Sequence, residues 1–296
     1  MISSEKVCKE FSLRLQGSEL KIDSITTLDQ PKKNSVFFVK IQSEKSKKLL
    51  AEHKKSFVLL PENYDTKSLE NSDLCFAVCE NPRNTFFEIA EKYFNEKNLP
   101  RIHETANIDA QAEIGMNANI ENNVQIIGKC FIGNNVKIGS NSLIIGPCFI
   151  EDDCTFSSGV IIGEESLSIR KENNINYQNP QMGGIKIGKG CRIGVFSTIS
   201  RGSIGDTILE DNVFMGEYSH VGHNSYIASK SVLTIRSSIC GSVRVLDESW
   251  FGPHSLVLNG VSISAKIKLG SGSVLQSNAK REGTYFGNPA KLLNFR

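Results

Sequence analysis

No charge of one sign dominates this chain: 34 Lys and Arg against 32 Asp and Glu leave a net +2 over 296 residues. That balance gives no ground for a nucleic acid or an acidic partner. No apolar run approaches the roughly 18–20 residues of a membrane span. Met1–Glu10 lacks the apolar core of a secretory leader. A cytoplasmic protein is therefore expected, long enough for one or two domains and a large core.

Metal ligands are scarce too. His220 and His223 stand close together, but His53, His103 and His254 lie elsewhere, so no third histidine joins them. Cys75 and Cys79, spaced C-x₃-C, sit in an apolar run without a second ligand pair. Neither constellation supports a metal site.

What the chain does have is a period of six. From Ile108 every sixth residue is apolar: Ile108, Ile114, Ile120, Ile126, Ile132, Ile138, Ile144, Ile150, Phe156 and Ile162. Four residues after each comes a slim side chain, such as Ala112, Val124, Cys130, Cys148 or Cys154. The pattern resumes at Ile187, Ile193 and Ile199, then runs from Leu209 to Leu275. At this chain's 39% apolar content, 25 apolar residues at such positions arise by chance on the order of once in ten billion. Neither a helix nor a simple strand has this period. Hexapeptide turns of a parallel β-helix do, three to a coil, with both the large and the slim residue pointing inward. About eight coils stacked at roughly 4.8 Å give a prism about 40 Å long. Cys130, Cys148, Cys154 and Cys191 fill slim slots, where cysteine packs as a small hydrophobe.

Residues 1–100 lack the period and read as a small α+β domain. Strands are expected at Ser24–Asp29, Ser35–Ile41, Phe57–Leu60 and Leu74–Val78, with an amphipathic helix over Asn84–Asn95. Pro100 to Thr105 reads as a junction, residues 101–280 as the prism and 281–296 as a short tail. The repeat breaks twice. A loop over roughly Glu164–Lys186, containing Gln181 and Gly183–Gly184, takes the place of about one turn, and loops this long are often functional. Four extra residues follow between Ile199 and Leu209, near Arg201–Thr207.

The run Gly216–Ser225 carries the chemistry. His223 falls near an outward corner. Counting 18 residues per coil places Gly205 below it, Gly241 above it and Asn259 one coil further. An imidazole with an ordinary pKa near 6.5 is mostly neutral at pH 7. Beside a free glycine N–H it would offer a general base and an oxyanion donor for acyl transfer.

Three segments resemble the UDP-3-O-acylglucosamine N-acyltransferases of lipid A biosynthesis. They are Ser24–Gln30 with Asn34–Phe38, Pro180–Gly188, and Thr198–Thr207 followed by His220–Asn224. The resemblance implies a uridine-binding amino-terminal domain, a left-handed parallel β-helix and a homotrimer. By it His223 takes the general-base position and Gly241 the oxyanion position. Phe37 would stack on uracil, with Lys40 near the phosphates. Gln181 in the long loop, His220 beside His223 and Asn259 in its column are further candidates to face substrate. The co-substrate would be an acyl-carrier-protein or coenzyme A thioester, with no permanently bound cofactor.

The chain departs from that family at several points. Gly260 stands at the second active-site histidine, Ser43 at the second uracil-flanking aromatic, and Gly163–Ser168 at the glycine-aromatic-glycine loop start. No helix is expected after the prism, where that family carries helices that engage acyl carrier protein. Instead Gly287-Asn-Pro-Ala-Lys291 is similar to the ending of coenzyme A-dependent hexapeptide acyltransferases. Expected is an N-acyltransferase acting on a UDP-linked amino sugar. The alternatives are a coenzyme A-dependent sugar N-acetyltransferase of surface-polysaccharide synthesis, a sugar-nucleotide-binding scaffold without activity, and a β-helical metalloenzyme.

Overall fold

A computed structural model describes residues 1–69, 72–95 and 100–293. It divides into two compact units, Met1–Lys97 and Asn98–Arg296.

The first unit is built on a five-stranded sheet in the order Leu15–Gln16, Cys75–Cys79, Phe57–Pro61, Ser35–Phe38, Ser24–Ile25. All neighbours are parallel except the first pair. Alternate residues of these strands serve two cores, as the strand period of two requires. Val36, Phe57, Leu59, Cys75 and Ala77 meet α1 (Ser4–Glu10) and α3 (Pro82–Tyr93). Phe37, Val39, Val58, Leu60 and Phe76 share the other core with Leu50 of α2 (Glu44–Glu52). α1 and α2 are additions to the sequence expectation. Both are short and largely charged, so tertiary packing and capping stabilise them more than an apolar stripe does. At α2, Ser43 Oγ accepts from Ser46 N–H (3.0 Å) and Ser46 Oγ from Ser43 N–H (2.8 Å), a reciprocal capping box.

The second unit is the expected parallel β-helix. Its strands form three faces, numbered in the order the chain visits them. Face 1 has eleven strands starting at Arg101–Ile102, face 2 nine starting at Asn107–Ile108, and face 3 eight starting at Glu113–Ile114. The large-slot residues from Ile120 to Leu275 are buried along one continuous core. The four slim-slot cysteines are buried in it as well. Burial pushes the Cys130 thiol up to about 11, which keeps it protonated and unreactive.

Two expectations change. Arg101–Ile102 pairs with Asn119–Ile120, so the stretch read as a junction is the first strand of the prism. The long loop removes no turn. Cys148–Ile150 pairs directly with Ile185–Ile187, and Ile161–Ile162 with Thr198–Ile199. All three faces keep register, and the extra chain leaves at the corner between faces 2 and 3. It carries a hairpin of Ile169–Glu172 against Ile175–Gln178. The four-residue break leaves at the same corner one coil on, between Thr198–Ile199 and Thr207–Leu209. After the last turn the chain closes with Gly283–Gly287 alongside Ile267–Leu269, then Ala290–Leu292 antiparallel to it.

Candidate active site

His223 belongs to the next corner of this same edge, between His220–Val221 on face 2 and Tyr226–Ile227 on face 3. Asn224, which follows it, has φ +58°, the left-handed conformation that tight corners demand and asparagine tolerates. Its side chain ties the corner to the four-residue break. Oδ1 accepts from Ser203 N–H (2.9 Å), Nδ2 donates to Gly205 O (3.0 Å), and the backbone N–H donates to Thr207 Oγ1 (2.8 Å).

Those bonds decide which way the Asn224 amide points, and the amide decides the state of the histidine. His223 Nδ1 lies 3.1 Å from Asn224 Oδ1. An amide oxygen only accepts, so Nδ1 carries the proton in the neutral ring and Nε2 keeps its lone pair. Nε2 lies over the α-carbon of Gly241: a β-carbon built there would fall 2.4 Å from it. A half-buried imidazole of fixed tautomer, with Nε2 as its basic nitrogen, is what a general base requires.

The oxyanion donor is not arranged as expected. The Gly241 N–H is already engaged, donating to Oδ1 of Asn259 (3.1 Å). Asn259 is therefore the hydrogen-bond partner of Gly241 from one coil above, exposed at the edge. An acceptor from a substrate would have to displace this exposed amide oxygen to use that N–H.

His220 projects from face 2 on the same turn. Its Nδ1 is 2.7 Å from Thr198 Oγ1. Burial, and then repulsion from His223, hold its pKa below the usual histidine value. Thr198, Asn224 and Thr207 join the site only in the folded chain. The one available signal was that they lie in the segment that carries the family likeness.

Two expected ligand contacts are overturned. Gln181 is 3% exposed, and its amide is spent at the neck of the long loop, on Ser166 O (2.6 Å) and Ser166 N–H (3.1 Å). It closes the loop instead of facing substrate. Phe37 is fully buried and stacks on His53 at 4.0 Å between ring centres. Its parity along the strand turns it into the core, away from any nucleobase. Lys40 is exposed, just beyond the carboxyl end of Ser35–Phe38.

Arg201 holds the loop to the edge from the other side. Its guanidinium donates to Gly163 O (2.6 Å) and Gly146 O (2.7 Å), bridging three coils. Among the described residues, no three of His, Cys, Asp and Glu converge as metal ligands, and no helix is long and apolar enough to cross a membrane.

The chain resembles the UDP-3-O-acylglucosamine N-acyltransferases. It is 29% identical over 130 residues to the protein of that name from Janthinobacterium sp., covering 44% of this chain and 37% of that one. A probable mitochondrial member from Arabidopsis thaliana is 31% identical over 140 residues, 47% and 46% of the two chains. The match thus spans less than half the length of these relatives. No protein-family model matches. Among solved structures, the UDP-N-acetylglucosamine acyltransferase of Campylobacter jejuni superposes with TM-score 0.56 at 25% identity, covering 64% of this chain and 73% of that one. The Francisella novicida enzyme gives TM-score 0.58 at 20% identity, over 63% and 66%, and supports the hexapeptide β-helix fold.

Proposed function

We propose that the protein transfers an acyl group from a thioester to the amine of a UDP-linked amino sugar. The observation that carries this reading is the His223 imidazole, held by Asn224 with Nε2 unprotonated and lodged against Gly241. The free amine attacks the thioester carbonyl, so a C–N bond forms and the C–S bond breaks. Nε2 accepts the proton that the nitrogen loses and returns it to the departing thiolate. The tetrahedral oxyanion would take the Gly241 N–H in place of Asn259.

The amino-terminal unit would bind the nucleotide. Supporting this, Lys40 is exposed at the carboxyl edge of the parallel strands, where ligands of such sheets commonly bind, and can face a diphosphate. His220, adjacent to His223, would contact the sugar. We also propose a homotrimer with the site in a cleft between subunits, working in the cytoplasm. All eight cysteines are free thiols, in keeping with a reducing compartment.

The coenzyme A alternative rests on the likeness of the Gly287–Lys291 turn to the ending of coenzyme A-dependent acyltransferases, although either donor would carry the same pantetheine arm. Asn288, within the Gly287–Lys291 turn, accepts from Gln276 Nε2 (3.1 Å). Gln276 stands three rungs beyond Gly222 on the His223 edge, by way of Cys240 and Leu258. At the rung spacing that is about 14 Å, within reach of a pantetheine arm.

The test is product mass. UDP-linked amino sugars, including the 3-O-acylated glucosamine, are offered acetyl-coenzyme A and hydroxyacyl carrier protein in parallel. A new N-acyl product in either arm is expected, and His223→Ala should lower turnover by about 10²–10⁴-fold while the fold is kept. No product from any pair, or a loss under threefold in the variant, removes the reading.

A further inference from the structure

The first unit holds a cavity of about 240 Å³ that no step of the proposed acyl transfer uses. Leu50, Leu69 and Leu74 give it apolar walls, and His53 and Tyr64 complete them. Leu50 lies near the carboxyl end of α2, and His53 caps that end. Lys40, which the proposed function turns toward a diphosphate, precedes the opposite end of the helix and does not line the cavity.

Two polar side chains in this lining are left with an unmet atom. His53 is 3% exposed and Tyr64 6%. The His53 ring stacks on Phe37, and its Nε2 lies 3.0 Å from Leu28 O. A carbonyl only accepts, so Nε2 carries the proton of the neutral ring and Nδ1 keeps its lone pair. That Nδ1 and the Tyr64 hydroxyl are closed off from bulk water, and neither has a hydrogen-bond partner among the described residues. Burial, and then the Asp65 carboxylate, push the Tyr64 phenol up, which keeps its proton in place for donation. Buried polar groups are nearly always satisfied, so two unmet ones in the lining of one cavity call for an occupant that meets them.

The lining sets the chemistry of that occupant. Nδ1 needs a donor and the Tyr64 O–H needs an acceptor, and one hydroxyl group offers both. Three leucines suit a hydrocarbon body. The volume falls below the roughly 300–1,000 Å³ of pockets for drug-sized molecules, which limits that body to about one ring. Lys47, also in the lining, pairs with Glu44 at 3.2 Å, so its charge is compensated and a neutral molecule suits the site. A phenol has this form, and with a pKa near 10 it is neutral at pH 7.

We propose that this cavity binds a small neutral phenol, its hydroxyl between His53 Nδ1 and Tyr64 and its ring among the leucines. The proposal does not depend on the acyl-transfer reading, because no residue of the His223 corner takes part.

The probe is p-cresol, titrated by calorimetry into the full chain at pH 8, where an ordinary imidazole is neutral and a phenol still protonated. Expected is one site per chain. 4-Methylanisole, which keeps the ring and loses the donor, should bind about tenfold more weakly or worse, since it leaves Nδ1 unmet. Excess uridine diphosphate should leave the p-cresol affinity unchanged. His53→Phe keeps a ring to stack on Phe37 and removes the acceptor, so affinity should fall by about tenfold or more. Should that variant fail to fold, Tyr64→Phe removes only the unmet hydroxyl. It should weaken p-cresol binding while the Tm of the unliganded protein stays level or rises. No binding at millimolar p-cresol would leave the cavity to water and overturn the proposal. Equal binding of 4-methylanisole, displacement by uridine diphosphate, or undiminished affinity in the variants would each overturn it as well.

Discussion

Gly241→Ala isolates the catalytic corner from the fold. Gly241 does not adopt a left-handed φ, so alanine suits its backbone and the only perturbation is the added methyl. That methyl would lie 2.4 Å from His223 Nε2, 2.7 Å from Cε1 and 2.8 Å from Cδ2. Reaching an ordinary contact requires the ring to retreat by about 1 Å, and a displacement of that size costs on the order of 10²-fold in rate. Stability should change little. Overpacking a closed core costs about 1–3 kcal/mol, but His223 is half-exposed and can swing outward. A cost near 1 kcal/mol would lower Tm by about 2–4 °C. The assay pairs initial rates by product mass with a thermal melt. Because both substitutions act through one imidazole, adding Gly241→Ala to His223→Ala should cost almost nothing more. Activity of Gly241→Ala within threefold of the parent, or a double variant a further hundredfold worse than His223→Ala, would refute the assignment of Nε2 as the base.

Two further outcomes test the partners of the corner. Asn224→Gly removes the acceptor that keeps the proton on His223 Nδ1 while suiting the left-handed φ of the corner, and kcat should fall by about 10²–10³-fold. The diagnostic readout is the ¹⁵N spectrum of the imidazole, which should change from a single Nδ1–H tautomer to a mixture; an unchanged tautomer would deny Asn224 its positioning role. For His220 the sign follows from a folded-state pKa held below the ordinary histidine value. The unfolded chain then binds more protons as pH falls through about 6.5, so stability rises with pH across that window and is lost on acidification. His220→Gln should therefore flatten the Tm-against-pH curve between about pH 5 and 7, and an equally steep curve in the variant would place the acid sensitivity elsewhere.

Inward-facing residues of the prism were legible because one physical requirement repeats at every turn: each sixth side chain must fill the core. From Ile120 to Leu275 that rule places each large-slot residue in the buried interior. It is silent about outward groups, whose partners lie one coil away. Across the four-residue break that distance is not 18. Thr198 stands beside His220 at 22 residues, so counting by 18 passes over the hydroxyl that meets Nδ1. The same count does align Gly241 with His223, but it cannot tell that Asn259 already holds the Gly241 N–H. Phe37 failed for a different reason. Its place beside a nucleobase was implied by the family resemblance alone, and in a sheet covered on both sides alternate residues are both buried, with Phe37 on a core face. Gln181 looked like a ligand contact because it lies in a long polar loop, yet such a loop must be closed at its neck, and a buried amide closes it. The two ejected segments and the histidine fall on one edge because both insertions left the coil at the corner between faces 2 and 3. Arg201 and Asn224 then join the segments to that edge, Arg201 through Gly163 O and Asn224 through Ser203 N–H and the imidazole.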